Sequence, residues 1–162
     1  MNNKVISVLL IFFVILGLLF FISTNGDKTL SDGSKKTNDG EKVVIHKSPT
    51  CGCCGAYASY MKSLGYEVEV NETDNLDLIK TKLGVPMDLE SCHTTEIAGY
   101  VVEGHIPNEV IVELLALRPD IKGIGMAGMP SGSPGMGGKK TGDFMIYEIR
   151  EGFQKGDLFM SI

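Results

Sequence analysis

Positive charge is scarce where a folded domain would carry it: residues 43–162 hold ten Lys and Arg against sixteen Asp and Glu, a net charge of −6. A nucleic-acid binder needs a basic footprint to neutralise phosphates, so that class is excluded. Also lacking is any run of carboxylates and carbonyls at the fixed spacing of a calcium or magnesium loop, which excludes a hard-ion site. With 43% hydrophobic and 22% charged residues, the 162-residue chain is neither disordered by composition nor a polytopic membrane protein. What is left is about one domain's worth of chain. Its apolar residues are unevenly placed, because four of the seven Phe (Phe12, Phe13, Phe20, Phe21) fall in one N-terminal run.

That run, Val5 to Ile22, has eighteen residues and no charge. As a helix it is about 27 Å long, enough to cross a hydrocarbon core of about 30 Å. It ends in Phe21-Ile22-Ser23-Thr24-Asn25-Gly26, without the small-residue cleavage pattern of a secretory signal and without a Cys for lipidation. Residues 1–24 are therefore expected to be a membrane anchor, with a cleaved signal segment as the alternative. Lys4 on one side and Lys28, Lys35 and Lys36 on the other leave the charge rule undecided. Short N-terminal tails generally stay behind, which places the rest of the chain on the extracytoplasmic side. Residues 25–42 are rich in Gly, Ser, Thr, Asn, Asp and Lys and bury too little to order, so a flexible tether is expected there. The folded domain is expected over residues 43–162.

Within it, Val43-Val44-Ile45 predicts a strand, followed by the turn residues Ser48-Pro49-Thr50 and a cysteine run. Tyr57, Met61 and Leu64 share one helical face, and Gly65 is placed to end that helix. Glu67-Val68-Glu69-Val70 alternates as a half-exposed strand. Asp74 is placed to cap a second helix carrying Leu76, Ile79 and Leu83. Ile97 to Glu103 reads as one strand, and Pro107 opens a third helix that stops before Pro119. Phe144 to Arg150 and Leu158 to Ile162 read as two closing strands. This order predicts an α/β or α+β domain with one core. Lys122 to Gly142 does not fit regular structure: twenty-one residues contain eight Gly, two Pro and three Met (Met126, Met129, Met136). A loop that long in a compact domain is functional or disordered, and its methionines favour function.

The chemistry lies in Cys51-Gly52-Cys53-Cys54 and Cys92-His93. A helix N-terminus favours thiolate over thiol, so the first three sulfurs are expected to be acidified. Three sulfurs within four residues can share a soft cation. Thiolate, thioether and imidazole together select monovalent copper, with zinc second. Zinc would want a closed set such as Cys51, Cys53, Cys54 and His93, but it leaves the loop methionines unexplained. Blander roles stand beside these. Cys51 or Cys54 could pair with Cys92 as a structural disulfide. Met61, Met87, Met145 and Met160 suit the core. His105 could cap or pack, and His46 could be an ordinary strand-end residue. A Cys-x-x-Cys at a helix start is also the layout of a thiol–disulfide oxidoreductase, in which Cys53 would be surplus.

The motifs Ser48-Pro49-Thr50-Cys51-Gly52-Cys53-Cys54, Gly84-Val85-Pro86, Ser91-Cys92-His93-Thr94, Gly99-Tyr100, Glu103-Gly104-His105-Ile106-Pro107 and Gly128-Met129-Pro130 through Gly132-Ser133-Pro134-Gly135-Met136 occur in that order. From Val43 to Ile162 the chain resembles the CopG-like copper-resistance family, long described only as a domain of unknown function. The resemblance implies a thioredoxin-like fold, an extracytoplasmic (periplasmic) setting and copper held by a cysteine-rich site with redox cycling. It implies Cys51, Cys53, Cys54 and Cys92 as core ligands, and His93, His105, Met129 and Met136 as motif residues of the site. Tyr57 stands where the family pattern has Trp, and the tether replaces the family's exported signal. The expectation is a single-pass copper-binding protein of the cytoplasmic membrane. It would sequester Cu(I) or transfer it to a transport or redox partner, with thiolates bridging more than one ion and the Gly/Met loop covering them.

Overall fold

In the computed structural model, residues 40–162 are described. The expected anchor over 1–24 and nearly all of the expected tether lie outside the described residues. Among the described residues, no helix is long and apolar enough to cross a membrane.

Among the described residues seven strands form one mixed sheet: β1 (Lys42–Lys47), β2 (Glu67–Glu72), β3 (His93–Ile97), β4 (Tyr100–Glu103), β5 (Gly123–Gly125), β6 (Met145–Arg150) and β7 (Gln154–Ser161), in the order β2-β1-β3-β4-β5-β6-β7. β1 opens one residue ahead of the expected domain start. β1 runs parallel to β2 and antiparallel to β3, β4 is antiparallel to β3 and parallel to β5, and β6 and β7 close the sheet as an antiparallel hairpin. Helix α1 (Gly52–Ser63) connects β1 to β2, α2 (Leu76–Leu83) connects β2 to β3, and α3 (Asn108–Leu117) follows β4.

Successive strand residues face opposite sides of a sheet. On one side Val43, Ile45, Ile97 and Val102 pack with Tyr57 and Met61 of α1 and Val110, Ile111 and Leu114 of α3. On the other side a smaller apolar group of Val85, Leu89, Val101 and Ile149 is buried, and Lys80 of α2 reaches Thr94 of β3. The domain is thus a sheet with helices on both faces. Its core is continuous under α1 and α3 and partly polar under α2.

Two expected elements are corrected. The single strand expected over Ile97–Glu103 is instead the end of β3, a two-residue turn and β4: Ile97 pairs with Tyr100 across Ala98 and Gly99, whose φ angles are +49° and +89°. Two residues with positive φ match the twist of paired strands, and Ala98 hides the turn because alanine rarely signals one. The segment Lys122–Gly142 is not wholly irregular, since its first residues form β5 between β4 and β6. Met126, expected among the loop's candidate ligands, closes this strand into the core and is 2% exposed.

Candidate metal centre

The sulfurs arrive from two places. Lys47 ends β1, and its ammonium donates to the carbonyl of Ser48 at 3.0 Å while pairing with Glu72 at 2.9 Å, which steadies the turn into the cysteines. Cys51 is the residue preceding α1, so Cys53 and Cys54 stand in the first helical turn. Residues three apart on a helix share a face. Cys51 and Cys54 are joined by a disulfide with Cα atoms 5.4 Å apart, a span that a bridge readily makes. The alternative weighed from the sequence, a structural disulfide from Cys51 or Cys54 to Cys92, is replaced by a bridge inside the Cys-x-x-Cys run, and Cys53 and Cys92 are free thiols. Cys53 Sγ lies 3.5 Å from Cys51 Sγ and 3.8 Å from Cys92 Sγ.

Cys92 comes from the residue just before β3, His93 from the first residue of that strand, and His105 from just beyond β4. The β3–β4 hairpin brings the three together. Cys92 Sγ lies 3.0 Å from His105 Nε2 and 3.6 Å from His93 Nδ1, and the two imidazole rings meet edge to face at 4.7 Å. Tyr57 wedges between α1 and both rings, 4.5 Å from His93 and 5.6 Å from His105, and its hydroxyl donates to the Ile106 carbonyl at 2.9 Å. Burial pushes the Tyr57 phenol far up, so it remains a hydrogen-bond donor.

Electrostatics define the resting protonation. His105 Nδ1 donates to the Pro134 carbonyl at 2.6 Å. Burial lowers the pKa of this imidazole, with the carbonyl acting against it, so the ring is neutral and its Nε2 is an acceptor. Cys92 faces that acceptor as a thiol. Burial and the neighbouring Cys53 push its pKa up to about 11, the reverse of the acidification expected at a helix start, because Cys92 is not on one. Burial holds His93 well below the ordinary imidazole value, assisted by His105 and Lys80. Its Nε2 is buried with no hydrogen-bond partner among the described residues. A polar atom left so costs about 1–3 kcal/mol, and an ion bound here would engage a ring whose bonding capacity is unmet.

Two overlapping donor sets result, Cys51–Cys53–Cys54–Cys92 and Cys92–His93–His105, each with ligand atoms within 4.8 Å of one another. Cys92 belongs to both. The donors are soft or borderline and contain no carboxylate, which suits a thiophilic cation and fits poorly with a hard one. His46 stands apart: its Nε2 meets Glu96 at 2.7 Å and its Nδ1 meets Asn71 at 2.9 Å, so both nitrogens are engaged as in an ordinary strand-end histidine.

The methionine loop is fastened beside the donors at two points. Gly128 N donates to the Glu90 carbonyl at 3.1 Å, next to Ser91 and Cys92. Gly135 has φ +80°, and a Cβ there would sit 2.7 Å from Tyr57 N and 2.9 Å from the Cys53 carbonyl, so only glycine lets the loop lie against α1. Met129 and Met136 are the residues following these two anchor points; Met129 is exposed and Met136 half-buried. Ser91, Thr94 and Glu103 entered the sequence analysis only as motif residues and Lys80 not at all; the four bond together beneath Cys92. A glutamate and a lysine inside otherwise apolar patterns were the available signals.

Fold and site together define a class: a mixed α/β domain presenting fused thiol and imidazole donor sets beside a glycine-rich loop. Residues 89–136 match the family model described as a protein of unknown function, DUF411. Two solved structures, of Copper resistance protein copG in its Form 1 and Form 2, are each 30% identical with a TM-score of 0.69. Each alignment covers 76% of this chain, and it spans 98% of Form 1 and 99% of Form 2. No curated protein matches. The chain belongs to the CopG-like copper-resistance family.

Proposed function

We propose that this protein binds copper at the fused sulfur and imidazole sets, taking up Cu(I) to sequester it or hand it to a transport or redox partner, and so contributes to copper resistance. The observation that carries the reading is Cys92, whose sulfur lies within 4 Å of Cys53 Sγ on one side and of both imidazoles on the other. A thiolate so placed bridges ions more readily than it serves one, which makes the centre multinuclear once Cys51 and Cys54 are reduced. His93 and His105 complete the coordination, and Met129 and Met136 are offered from the loop as thioether donors. Zinc is the second choice of cation. The order β2-β1-β3-β4, with α1 and α3 on one face and α2 on the other, supports a thioredoxin-like core. The apolar run before the domain supports a membrane tether with the domain on the extracytoplasmic side.

Titration of the reduced full-length chain with Cu(I) under anaerobic conditions, against a chromogenic chelator and with zinc in parallel, tests this. More than one tightly held copper per chain, with fewer in Cys53→Ser, is the expected result. Uptake no better than that of free thiols sinks it.

The closed Cys51–Cys54 bridge favours a second reading, a redox protein acting on copper or disulfides. Two thiols reducing two Cu(II) ions would yield one disulfide, two Cu(I) and two protons, and the bridge is the product state of such a step. Turnover in an insulin-reduction assay without metal would favour disulfide exchange. Cu(I) formation matched by thiol loss would favour copper reduction.

A further inference from the structure

Beneath the donor sets, on the α2 side of the sheet, lies a polar group that contributes no ligand. Glu103 of β4 is fully buried and Lys80 of α2 is 2% exposed. Glu103 Oε1 accepts from the Lys80 ammonium and, at 2.7 Å, from the backbone N–H of Ser91. Glu103 Oε2 accepts from the Thr94 hydroxyl at 2.6 Å, and Lys80 also reaches that hydroxyl at 3.0 Å. Among the described residues, every donor to this carboxylate other than Lys80 therefore sits within two residues of Cys92. Ser91 extends the connection, because its hydroxyl donates to the Gly128 carbonyl at the start of the methionine loop. At the other end, Gly104 follows Glu103 and donates to the His93 carbonyl at 3.2 Å before the chain reaches His105. Gly104 has φ +84°, and a Cβ there would fall 2.7 Å from the Met126 carbonyl and 3.0 Å from Ser91 Cβ, so strap, loop and hairpin converge at this point.

A buried ion pair contributes little net stability, and apolar replacement of both partners is often neutral or favourable. What this pair supplies is direction: one carboxylate has both oxygens committed to the segment that presents Cys92. We propose that Glu103, with Lys80 as its counter-charge, is a positioning residue for the metal centre, fixing the Ser91–Cys92 strap and, through Ser91, the loop entrance before any ion arrives. The inference rests on the copper-binding reading above.

Two double variants of the full-length chain separate orientation from charge. Lys80→Met/Glu103→Leu removes the charges and the acceptor, whereas Lys80→Met/Glu103→Gln removes the charges but keeps an acceptor for Ser91. Melting curves establish folding, iodoacetamide labelling mapped by mass spectrometry reads Cys92 without metal, and transfer of Cu(I) to a chelator reads the loaded centre. The Leu variant is expected to alkylate at Cys92 and release copper about 10–100-fold faster, the cost typical of losing an outer-shell partner. The Gln variant is expected to restore both rates to near wild type. A folded Leu variant with wild-type rates overturns the proposal. Amide exchange on the unsubstituted chain decides the matter without variants: a Ser91 amide as protected as those of β3 supports it, and one exchanging like an exposed loop overturns it. Labelling and exchange need no copper, so failure of the wild-type chain to bind copper would count against the functional reading alone.

Discussion

The two halves of the donor cluster are built in opposite ways. Cys51, Cys53 and Cys54 lie within four residues at the start of α1, and one helical turn sets their geometry. Cys92, His93 and His105 are brought together by a hairpin whose strands are held in register by four cross-strand pairs, with both imidazoles fully buried against Tyr57. The helical half can change state by making or breaking a bridge without moving the sheet. The hairpin half has no such freedom, since both rings are packed against Tyr57 and His105 is held by the Pro134 carbonyl. A reactive thiol run therefore faces a rigid platform, and the 3.8 Å separation of Cys53 and Cys92 sulfurs is where they meet.

The largest expected effect comes from the residue common to both halves. Cys92→Ser should weaken Cu(I) retention more than about 100-fold, beyond the loss of an outer partner, when measured by chelator competition. Full loading in that variant would mean that the halves bind independently. Next, Lys80→Ala leaves Glu103 buried without its counter-charge, and should cost about 3–5 kcal/mol in denaturant unfolding. Cys53→Ser, on the helical half, should move the same midpoint far less. Gly135→Ala places a Cβ against the α1 backbone at a positive φ and should cost about 1–3 kcal/mol, with faster copper release as the loop lifts.

The smallest effect sharpens the comparison by pH. A metal ion needs the Cys92 thiolate, and the thiol is protonated below about 11, so loading this sulfur releases one proton throughout the neutral range whether it holds one ion or bridges two. Cys92 alone should make affinity fall about tenfold per unit of acidification. His93 and His105 are held neutral by burial, below the ordinary 6.5, and add no proton to that count near neutrality. Indicator-dye titration of proton release checks this, and a slope that steepens between pH 6 and 7 would show the imidazoles titrating. The same shifts set a stability edge. The His93 and His105 contributions are complete above 6.5 and are drawn down as pH falls below it, because the unfolded imidazoles take up protons that the folded ones refuse.

What the sequence showed of this site follows the same division. The Cys51–Cys54 run, its position at a helix start, and the periodic faces of α1 and α3 are local patterns, and they could be read directly, whereas on α2 the expected face of Leu76, Ile79 and Leu83 is only half-buried and the buried residue is Lys80. Cys92-His93 and His105 were legible as candidates by residue type and resemblance, but their distances depend on the hairpin, and Ala98-Gly99 gave no strong turn signal. His46 could not be told from a ligand until Asn71 and Glu96 were seen beside it, twenty-five and fifty residues away in the chain. Met126 failed as a candidate because composition marks a loop as methionine-rich without saying which methionine turns inward. Glu103 was visible only as a motif residue and Lys80 not at all, since a buried pair declares itself only when both partners are placed.

The contact between Cys92 and His105 has one more consequence. The thiol proton shared with Nε2 occupies a position between a sulfur and a nitrogen 3.0 Å apart, in surroundings that penalise net charge. Capture of an ion there is then an exchange of occupants. A monovalent ion that displaced this proton would leave the electrical balance of the pocket as it was, whereas a divalent ion would have to expel a second proton, such as that of the Cys53 thiol 3.8 Å away. Charge balance at the Cys92–His105 pair thus accords with the monovalent copper proposed above.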